Sequence, residues 1–489
     1  MTNTEQPLNV NTSRGKQTVI LGVDIGTSGV RGCIVSVLKS FKSQQVMEET
    51  ILANYSVSMP FPEKSPSCGM SRQSSMVWEQ AFETLFAHLA QSPSFKHIQH
   101  IVADGTSSTV LLADSQGKAL TDALMYDDQQ ATVQALKIND LVQKGSFATA
   151  ATGASSTLAK VLFLLDELKD RQGIEREENS AVHICHQLDW FNFWLTGKLG
   201  LTDENNALKL GYDPVTSAWP NWVKACINKQ SNLAGLSIVL PDVLKPGTDL
   251  SPPSSAFSKK WTVSPSVKIH AGTTDSIAGF LASGAKHAGD AVSSLGSTLA
   301  LKLISEKPIF NTQYGIYSHR LGHNWLVGGA SNGGGAVLLK YFTLEALKDA
   351  IDMLNQPQNR LFWQNLPNPN YYPLSQAGER FPIADATLQP RLPDLAENAS
   401  KLEKQLFLVA LMQGLANIEQ IGYQRLNDLG ANLVKNLYSV GGGTHNAVWQ
   451  KLRKEYLRVS FCQPDSLEAA FGVTRLVSVF YQSSSFKND

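Results

Sequence analysis

The chain has 489 residues, 42 basic and 42 acidic, with 43% apolar and 17% charged content. That length calls for more than one hydrophobic core, while the balanced charge leaves no electrostatic footprint for nucleic acid or an anionic membrane. No run approaches the roughly 18–20 apolar residues that span a bilayer, so the expected partner is a small molecule met in the cytoplasm, with homodimer formation left open.

Residues 1–16 are polar, lack the basic start and apolar middle of a signal peptide, and read as a disordered tail. Thr18 to Asp24 reads as a buried strand, Val30 to Val37 as its hairpin partner and Thr50 to Val57 as a third strand. The first turn lies in Leu21-Gly-Val-Asp-Ile-Gly-Thr-Ser-Gly29, where Gly and small hydroxyl residues let backbone amides approach phosphate oxygens without a Cβ in the way. Met76, Val77, Ala81, Leu85 and Leu89 recur at helical spacing, which predicts a helix from Ser74 to Leu89 with Ser74 or Ser75 as N-cap. His100 to Ala103 returns as a strand and ends at Asp104-Gly105.

The middle reads as mostly helical, with Trp190, Trp194 and a turn at Gly211-Tyr-Asp-Pro214. Cys33, Cys68, Cys185, Cys226 and Cys462 are scattered with no CxxC pair, so neither a zinc site nor a disulfide framework is indicated. In His183-Ile-Cys-His186 a strand would set His183 and Cys185 on one face and His186 on the other, which favours packing over metal binding. Val267 to His270 is a further strand, and a Gly-Thr-Thr bend leads from it to Asp275 where a helix begins; capping of that helix is the alternative role for this carboxylate.

A similar order restarts at Ala291, with Val292 to Leu295, a Gly turn, Leu299 to Ile304 and Gly315 to His319. The turn belongs to Ser293-Ser-Leu-Gly-Ser-Thr298, and a glycine run from Gly328 to Gly335 follows. The Pro-rich passage Leu366 to Pro393 reads as an insertion or lid-like loop. Leu437 to Val440 then leads into Gly441-Gly-Gly443 and a helix near Asn446, whose N-terminus offers amides to an anion. Strands with crossover helices mean an α/β class, and the recurrence suggests duplication into two halves, 17–285 and 286–489, that grip one nucleotide.

Six motifs in order carry a resemblance: Asp24-Ile-Gly-Thr-Ser-Gly29, Asp104-Gly-Thr-Ser-Ser-Thr109, Asn206-Ala-Leu-Lys-Leu-Gly-Tyr212, Ala271-Gly-Thr-Thr-Asp-Ser-Ile-Ala278, Ser293 to Thr298 and Gly441-Gly-Gly-Thr-His-Asn446. From about residue 18 onward the chain resembles the FGGY-type carbohydrate kinases of the actin-like, ribonuclease-H-like ATPase superfamily. Within these it is most similar to the cyanobacterial and plant D-ribulose kinase group, also called xylulose kinase-1-like. The resemblance implies two ribonuclease-H-like domains with an interdomain cleft, ATP and Mg²⁺ as cofactors, and a sugar as acceptor.

It also implies roles. Asp275 matches the base that takes the proton of the sugar hydroxyl, and Asp24 the carboxylate that organises the metal and touches the sugar. Thr27, Ser28, Gly29 and Thr274 fall at phosphate-contact positions, as do Gly296, Ser297 and Thr298, with Gly334 near the nucleotide. Gly442, Gly443 and Asn446 match the adenosine side, whereas Trp449 reads as core. Bacterial xylulokinases carry Gln-Met-His where this chain has Thr106-Ser-Ser-Thr-Val110, which favours the ribulose-type group with Ser107 facing the sugar. A turn hydroxyl is the alternative for Ser107. Arg31 either adds charge stabilisation or is a solvated side chain on the hairpin, and Trp78 either lines the sugar pocket or packs in the core. The expected reaction is D-ribulose to D-ribulose 5-phosphate. Another pentulose such as D-xylulose, a heptulose or a polyol is the alternative acceptor, and a non-catalytic nucleotide switch is the alternative class; a switch needs no base such as Asp275.

Overall fold

Long apolar runs in the first sixty residues build the centre of the N-terminal half. The computed structural model describes residues 11–12, 15–41, 43, 45–145, 147–170, 181–364, 366 and 370–480. In it Gly15–Ile25, Gly29–Ser40 and Val46–Ser58 form an antiparallel meander. His100–Gly105 lies parallel to the first of these on its other side. Lys268–His270 and Thr273–Thr274 run parallel to it in turn, and Asp249–Ser251 closes an eight-stranded sheet that includes Asn11–Thr12. Asn11 and Thr12 pair with Lys16 and Gly15, so that part of the expected tail is a short hairpin; residues 1–10, 13 and 14 lie outside the described residues.

The chain divides into two units. Unit 1 runs to Ala282 and regains Arg320–Gly322 and the residues from Glu468 onward. The reason for the last return is a close approach. Helix Ala469–Arg475 packs on Gly15–Ile25 so tightly that a Cβ at Gly22 would lie 2.0 Å from the Ala470 carbonyl oxygen. Helix Ser75–Leu89 is capped by the Ser74 hydroxyl and buries Trp78, Phe82 and Phe86. Phe82 meets Phe191 edge-on at 4.8 Å. Trp78 is fully buried and its Nε1 donates to Gln73 Oε1 at 2.6 Å, so it is core.

The middle is less helical than expected. Ser237–Val239, Ala181–His186, Val110–Asp114, Ala123–Leu124, Met70–Gln73 and Glu63–Ser65 form a second six-stranded sheet in unit 1. Runs such as Val110-Leu-Leu-Ala113 are short and continuously apolar, a pattern that periodicity alone does not separate from buried helix. Helices Thr157–Asp170 and Gln187–Thr196 flank them.

Unit 2 comprises Ser283–His319 and His323–Leu467. Its sheet is ordered Tyr317–Leu321, Asn324–Ser331, Leu299–Ser305, Asp290–Leu295, Asn436–Val440 and Ser460–Cys462. The long helix Lys401–Asp428 starts with a reciprocal cap between Ser400 and Glu403 and buries Leu408, Leu411, Leu415 and Ile418. Arg453 donates from Nε and Nη2 to the two oxygens of Glu419 at 2.6 and 2.7 Å, and Glu419 also accepts from the Ser293 hydroxyl. That buried network ties the strand leading to Gly296 to two helices.

From residue 370 onward the passage that ends at Pro393 is part of this core rather than a lid, and residues 367–369 lie outside the described residues. Tyr372, Leu374 and Phe381 are buried, and Glu379 accepts from the Ser331 hydroxyl at 2.5 Å, the Asn332 amide at 2.7 Å and the Tyr372 hydroxyl at 3.0 Å. Proline-rich composition signalled irregular backbone, which is correct, but irregular backbone can still be packed when its side chains are apolar and its polar groups are satisfied.

Candidate active site

Register brings the acidic motifs of unit 1 together. Asp24 pairs with Asp104 across the parallel strands, and Asp104 pairs with Thr273 on the next. The three positions lie at the same, C-terminal end of the sheet, where open α/β sheets bind ligands. Asp275 follows as the first residue of helix Asp275–Ala282, its Oδ1 accepting from the Ser276 amide at 2.6 Å. Thr273 and Thr274 are fully buried, with the Thr273 hydroxyl accepting from Asn205 Nδ2 at 3.0 Å and the Thr274 hydroxyl 3.4 Å from that of Ser276.

Arg31 is not a free solvated side chain. It sits opposite Asp24 in the hairpin, and its Nη1 donates to Asp24 Oδ2 at 2.7 Å. Asp104 has no cationic partner of that kind, and its hydrogen-bonding neighbour is the Asp24 carboxyl. Burial, then the neighbouring Asp24 and Asp275 carboxylates, push the Asp104 carboxyl well above the usual range, with Arg31 opposing weakly.

The turn between the first strands closes with the Gly26 amide donating to the Gly29 carbonyl at 3.0 Å, which leaves Thr27 and Ser28 half-buried at its tip. A Cβ at Gly29 would fall 2.5 Å from the Val57 carbonyl oxygen, so glycine is needed there.

The Asp104–Thr109 loop is held from several sides. Gln187 Oε1 accepts from the Thr106 amide at 3.0 Å and from its hydroxyl at 2.7 Å. Ser108 has a φ of 69°, and its carbonyl accepts at 3.1 Å from Nζ of Lys160, which also donates to the Met125 carbonyl. Lys160 is fully buried, and burial pulls its amine down to about 7. Ser107 is half-buried at the loop tip, and among the described residues none hydrogen-bonds its hydroxyl.

Next to this loop lies a polar layer to which the motifs assigned no site role, although His186 and Asn206 fall within quoted segments. His186 Nδ1 lies 2.8 Å from Asp189 Oδ2 and 3.2 Å from the Thr202 hydroxyl. Asp203 caps the amides of Asn205 and Asn206 at 2.9 and 3.1 Å, and burial raises its carboxyl to about 7 against those bonds. Asn205 also exchanges bonds with the Arg320 backbone, accepting from its amide at 2.9 Å and donating to its carbonyl at 3.0 Å. The sequence signal was the density of amide and acidic side chains in Thr202 to Asn206, which periodicity treats as a polar turn. His183 is half-buried and Cys185 buried on the same strand, and among the described residues no three His, Cys, Asp or Glu side chains converge as a metal cage.

In unit 2 a cavity of about 630 Å³ collects Gly296, Ser297, Gly442, Gly443, Asn446 and an apolar wall that includes Leu338, Leu347 and Ile351. The two glycine runs build one corner of it. The Gly335 amide donates to the Gly296 carbonyl at 2.8 Å and the Ala336 amide to the Ser297 carbonyl at 3.1 Å. Gly334 permits that approach, because a Cβ there would lie 2.5 Å from the Ser297 carbonyl oxygen. Thr298 lies in the same turn beside Gly334. A Cβ on Gly443 would strike the Trp449 ring at 2.6 Å, whereas one on Gly442 would meet nothing within 4 Å. Asn446 is committed to capping helix Ala447–Leu457, its Oδ1 accepting from the Trp449 amide at 3.0 Å. Trp449 is buried to 1% exposure and presents only part of its ring to the cavity.

Among the described residues no helix is long and apolar enough to cross a membrane. The chain is 20% identical over 451 residues to a xylulose kinase of Staphylococcus epidermidis, covering 90% of this chain and 83% of that protein. It is 21% identical over 468 residues to a gluconokinase of Bacillus subtilis, covering 92% and 85%. The crystal structure of a xylulose kinase from Rhodospirillum rubrum superposes with a TM-score of 0.75 at 18% identity, covering 96% of this chain and 91% of that one. Residues 19–282 match the N-terminal domain of the FGGY family of carbohydrate kinases and residues 291–471 its C-terminal domain, and the chain belongs to that family.

Proposed function

We propose that this FGGY carbohydrate kinase transfers the γ-phosphoryl group of ATP to a hydroxyl of a ketopentose, D-ribulose first. The observation that carries the reading is the register that sets Asp24 level with Asp104 and Thr273, two residues before Asp275. Phosphoryl transfer needs a base beside the attacking oxygen and preorganised charge around the moving group, with little covalent work by the protein. Asp275 takes the proton of the attacking hydroxyl. Amides and hydroxyls of Thr27, Ser28 and Gly29 contact phosphate oxygens, and so do those of Gly296, Ser297 and Thr298. Gly442, Gly443 and the apolar wall hold the adenosine, with Thr274 supporting the loop that carries Asp275.

The donor set suits Mg²⁺. That ion keeps several waters and borrows one or two hard carboxylate oxygens, and Asp24 offers one where, among the described residues, no metal cage of three His, Cys, Asp or Glu competes. When bound with ATP, the ion supplies charge neutralisation at the phosphate oxygens. Asp24 would hold it, with Arg31 fixing the carboxylate's orientation.

D-Ribulose is favoured over D-xylulose by the Thr106-Ser-Ser-Thr109 loop with Ser107 unengaged at its tip. D-Xylulose is the second reading, favoured by the relative named xylulose kinase. ADP release measured over D-ribulose, D-xylulose, ribitol and glycerol separates them. An epimer that leaves buried polar groups unmatched loses about 1–3 kcal/mol for each, so kcat/KM should be highest for D-ribulose by about tenfold or more. A higher value for D-xylulose sinks the ribulose reading and leaves the kinase intact.

A further inference from the structure

The sheet end in unit 1 carries three carboxyl groups, one more than the assigned roles use. Asp104 is fully buried and sits between Asp24 and Thr273 in register. Among the described residues no amide, hydroxyl or amine donates to either of its oxygens, and the one polar group it shares a hydrogen bond with is the Asp24 carboxyl, which leaves its remaining acceptor capacity unmet. A buried carboxyl in that condition is costly, the more so beside like charges. An apolar side chain would fill the same space without the penalty. Such a group makes physical sense where its partner arrives with a ligand.

Neighbouring atoms point the same way. Ser108 Oγ, Gln187 Nε2 and Asn206 Oδ1 are also buried without a hydrogen-bond partner. Gln187 grips the Asp104–Thr109 loop through Thr106, and Asn206 adjoins Asn205, which binds Thr273. The orphaned donors and acceptors therefore belong to segments that are hydrogen-bonded to one another next to Asp104.

We propose that Asp104 is a substrate-contacting residue whose carboxyl exchanges a hydrogen bond with a hydroxyl of a neutral polyhydroxy acceptor, and that the three-carboxyl sheet end selects against acceptors bearing a carboxylate. A hydroxyl both donates and accepts, so it can satisfy a carboxyl group. A carboxylate only accepts and adds a like charge. This rests on the reading that Asp24 and Asp275 flank the acceptor, and it does not depend on which neutral sugar is preferred.

The test compares wild type with Asp104→Ala, using ADP release with D-ribulose, D-xylulose, ribitol, glycerol and D-gluconate, together with thermal melting. For the best neutral acceptor of the wild type, whichever it is, the variant should raise KM by about tenfold or more, with KM for ATP unchanged. Its Tm should equal or exceed that of the wild type, since an unsupported buried carboxyl is gone. The inference is overturned by a sugar KM within about twofold of wild type, by parallel rises in both KM values, or by a lowered Tm or failure to fold, each of which makes Asp104 a structural residue. Wild-type turnover of D-gluconate at the kcat/KM of the best neutral acceptor overturns the selection against carboxylates. Preference for a neutral acceptor other than a ketopentose defeats the ketopentose reading while the Asp104 comparison still stands or falls by its own numbers.

Discussion

The two units place opposite chemistries beside their glycine turns. Unit 1 sets Asp24, Asp104 and Asp275 at a sheet end backed by buried amide and carboxyl side chains. Unit 2 lines its cavity with glycine backbone and leucine and isoleucine side chains. The difference teaches where selectivity resides. Recognition written in side chains is altered by a change of one functional group, whereas recognition written in backbone is altered only by adding bulk.

The largest effect should follow from breaking the side-chain half of that contrast. Asp275→Asn keeps shape but cannot accept a proton, and loss of a general base is typically worth about 10²–10⁴ in rate. We expect kcat to fall by that order with ATP affinity measured by calorimetry unchanged. Turnover within a few-fold of wild type would remove Asp275 from its role.

The backbone half is probed by two adjacent glycines with different surroundings. At Gly443 an added side chain runs into Trp449 and the Leu295 Cβ at 2.6 and 2.7 Å, so Gly443→Val should cost about 1–3 kcal/mol of stability as overpacking. At Gly442 the added Cβ meets open space, so Gly442→Val should fold normally and raise KM for ATP on the order of tenfold. Equal melting temperatures for the two variants would refute the first expectation. Unchanged ATP affinity in Gly442→Val would take the nucleotide out of this cavity.

Local signals carried much of the fold. Glycine turns and apolar runs marked the Gly15–Ile25 and Gly29–Ser40 hairpin, and helical spacing marked Ser75–Leu89 to within a residue. What local signals could not carry was which distant segment lies opposite. Gly22 read as one glycine in a strand, and only the packed structure shows the Ala470 carbonyl against it. The same holds for Phe381, which fills the space above Gly329 from within a proline-rich passage. In the candidate site, the positions of Asp24 near a strand end and of Asp275 at a helix start were legible because motifs surround them. Asp104 was quoted within a motif but given no role, since its distinction is the absence of a donor, a property of the neighbours. Lys160 was missed because a lysine on an amphipathic helix ordinarily reaches solvent, and here its amine holds the Ser108 carbonyl.

The smallest expected effect sharpens the same contrast through acid stability. His100 Nδ1 lies 2.8 Å from His270 Nε2, and His270 Nδ1 lies 2.9 Å from the Gly247 carbonyl, with Asp249, Lys268 and Lys39 nearby. Burial, then the second imidazole, lower His100 from 6.5 to about 4. Between those values the unfolded chain binds more protons than the folded one, so this group's contribution to stability is present above pH 6.5 and is lost as pH falls toward 4. Asp203, raised to about 7, works in the opposite direction over the same range, because its folded form holds the extra proton. The whole-protein curve is therefore composite, and a variant isolates one contribution. His100→Asn should flatten the fall of Tm between pH 6.5 and 4 relative to wild type, whatever its offset at neutral pH. Hydrogen exchange should locate the gain in unit 1 peptides, since unit 2 is held by the Glu419–Arg453 pair and the titrating histidines lie in the other sheet. An unchanged slope would mean that His100 binds its proton equally in the folded and unfolded states over that range.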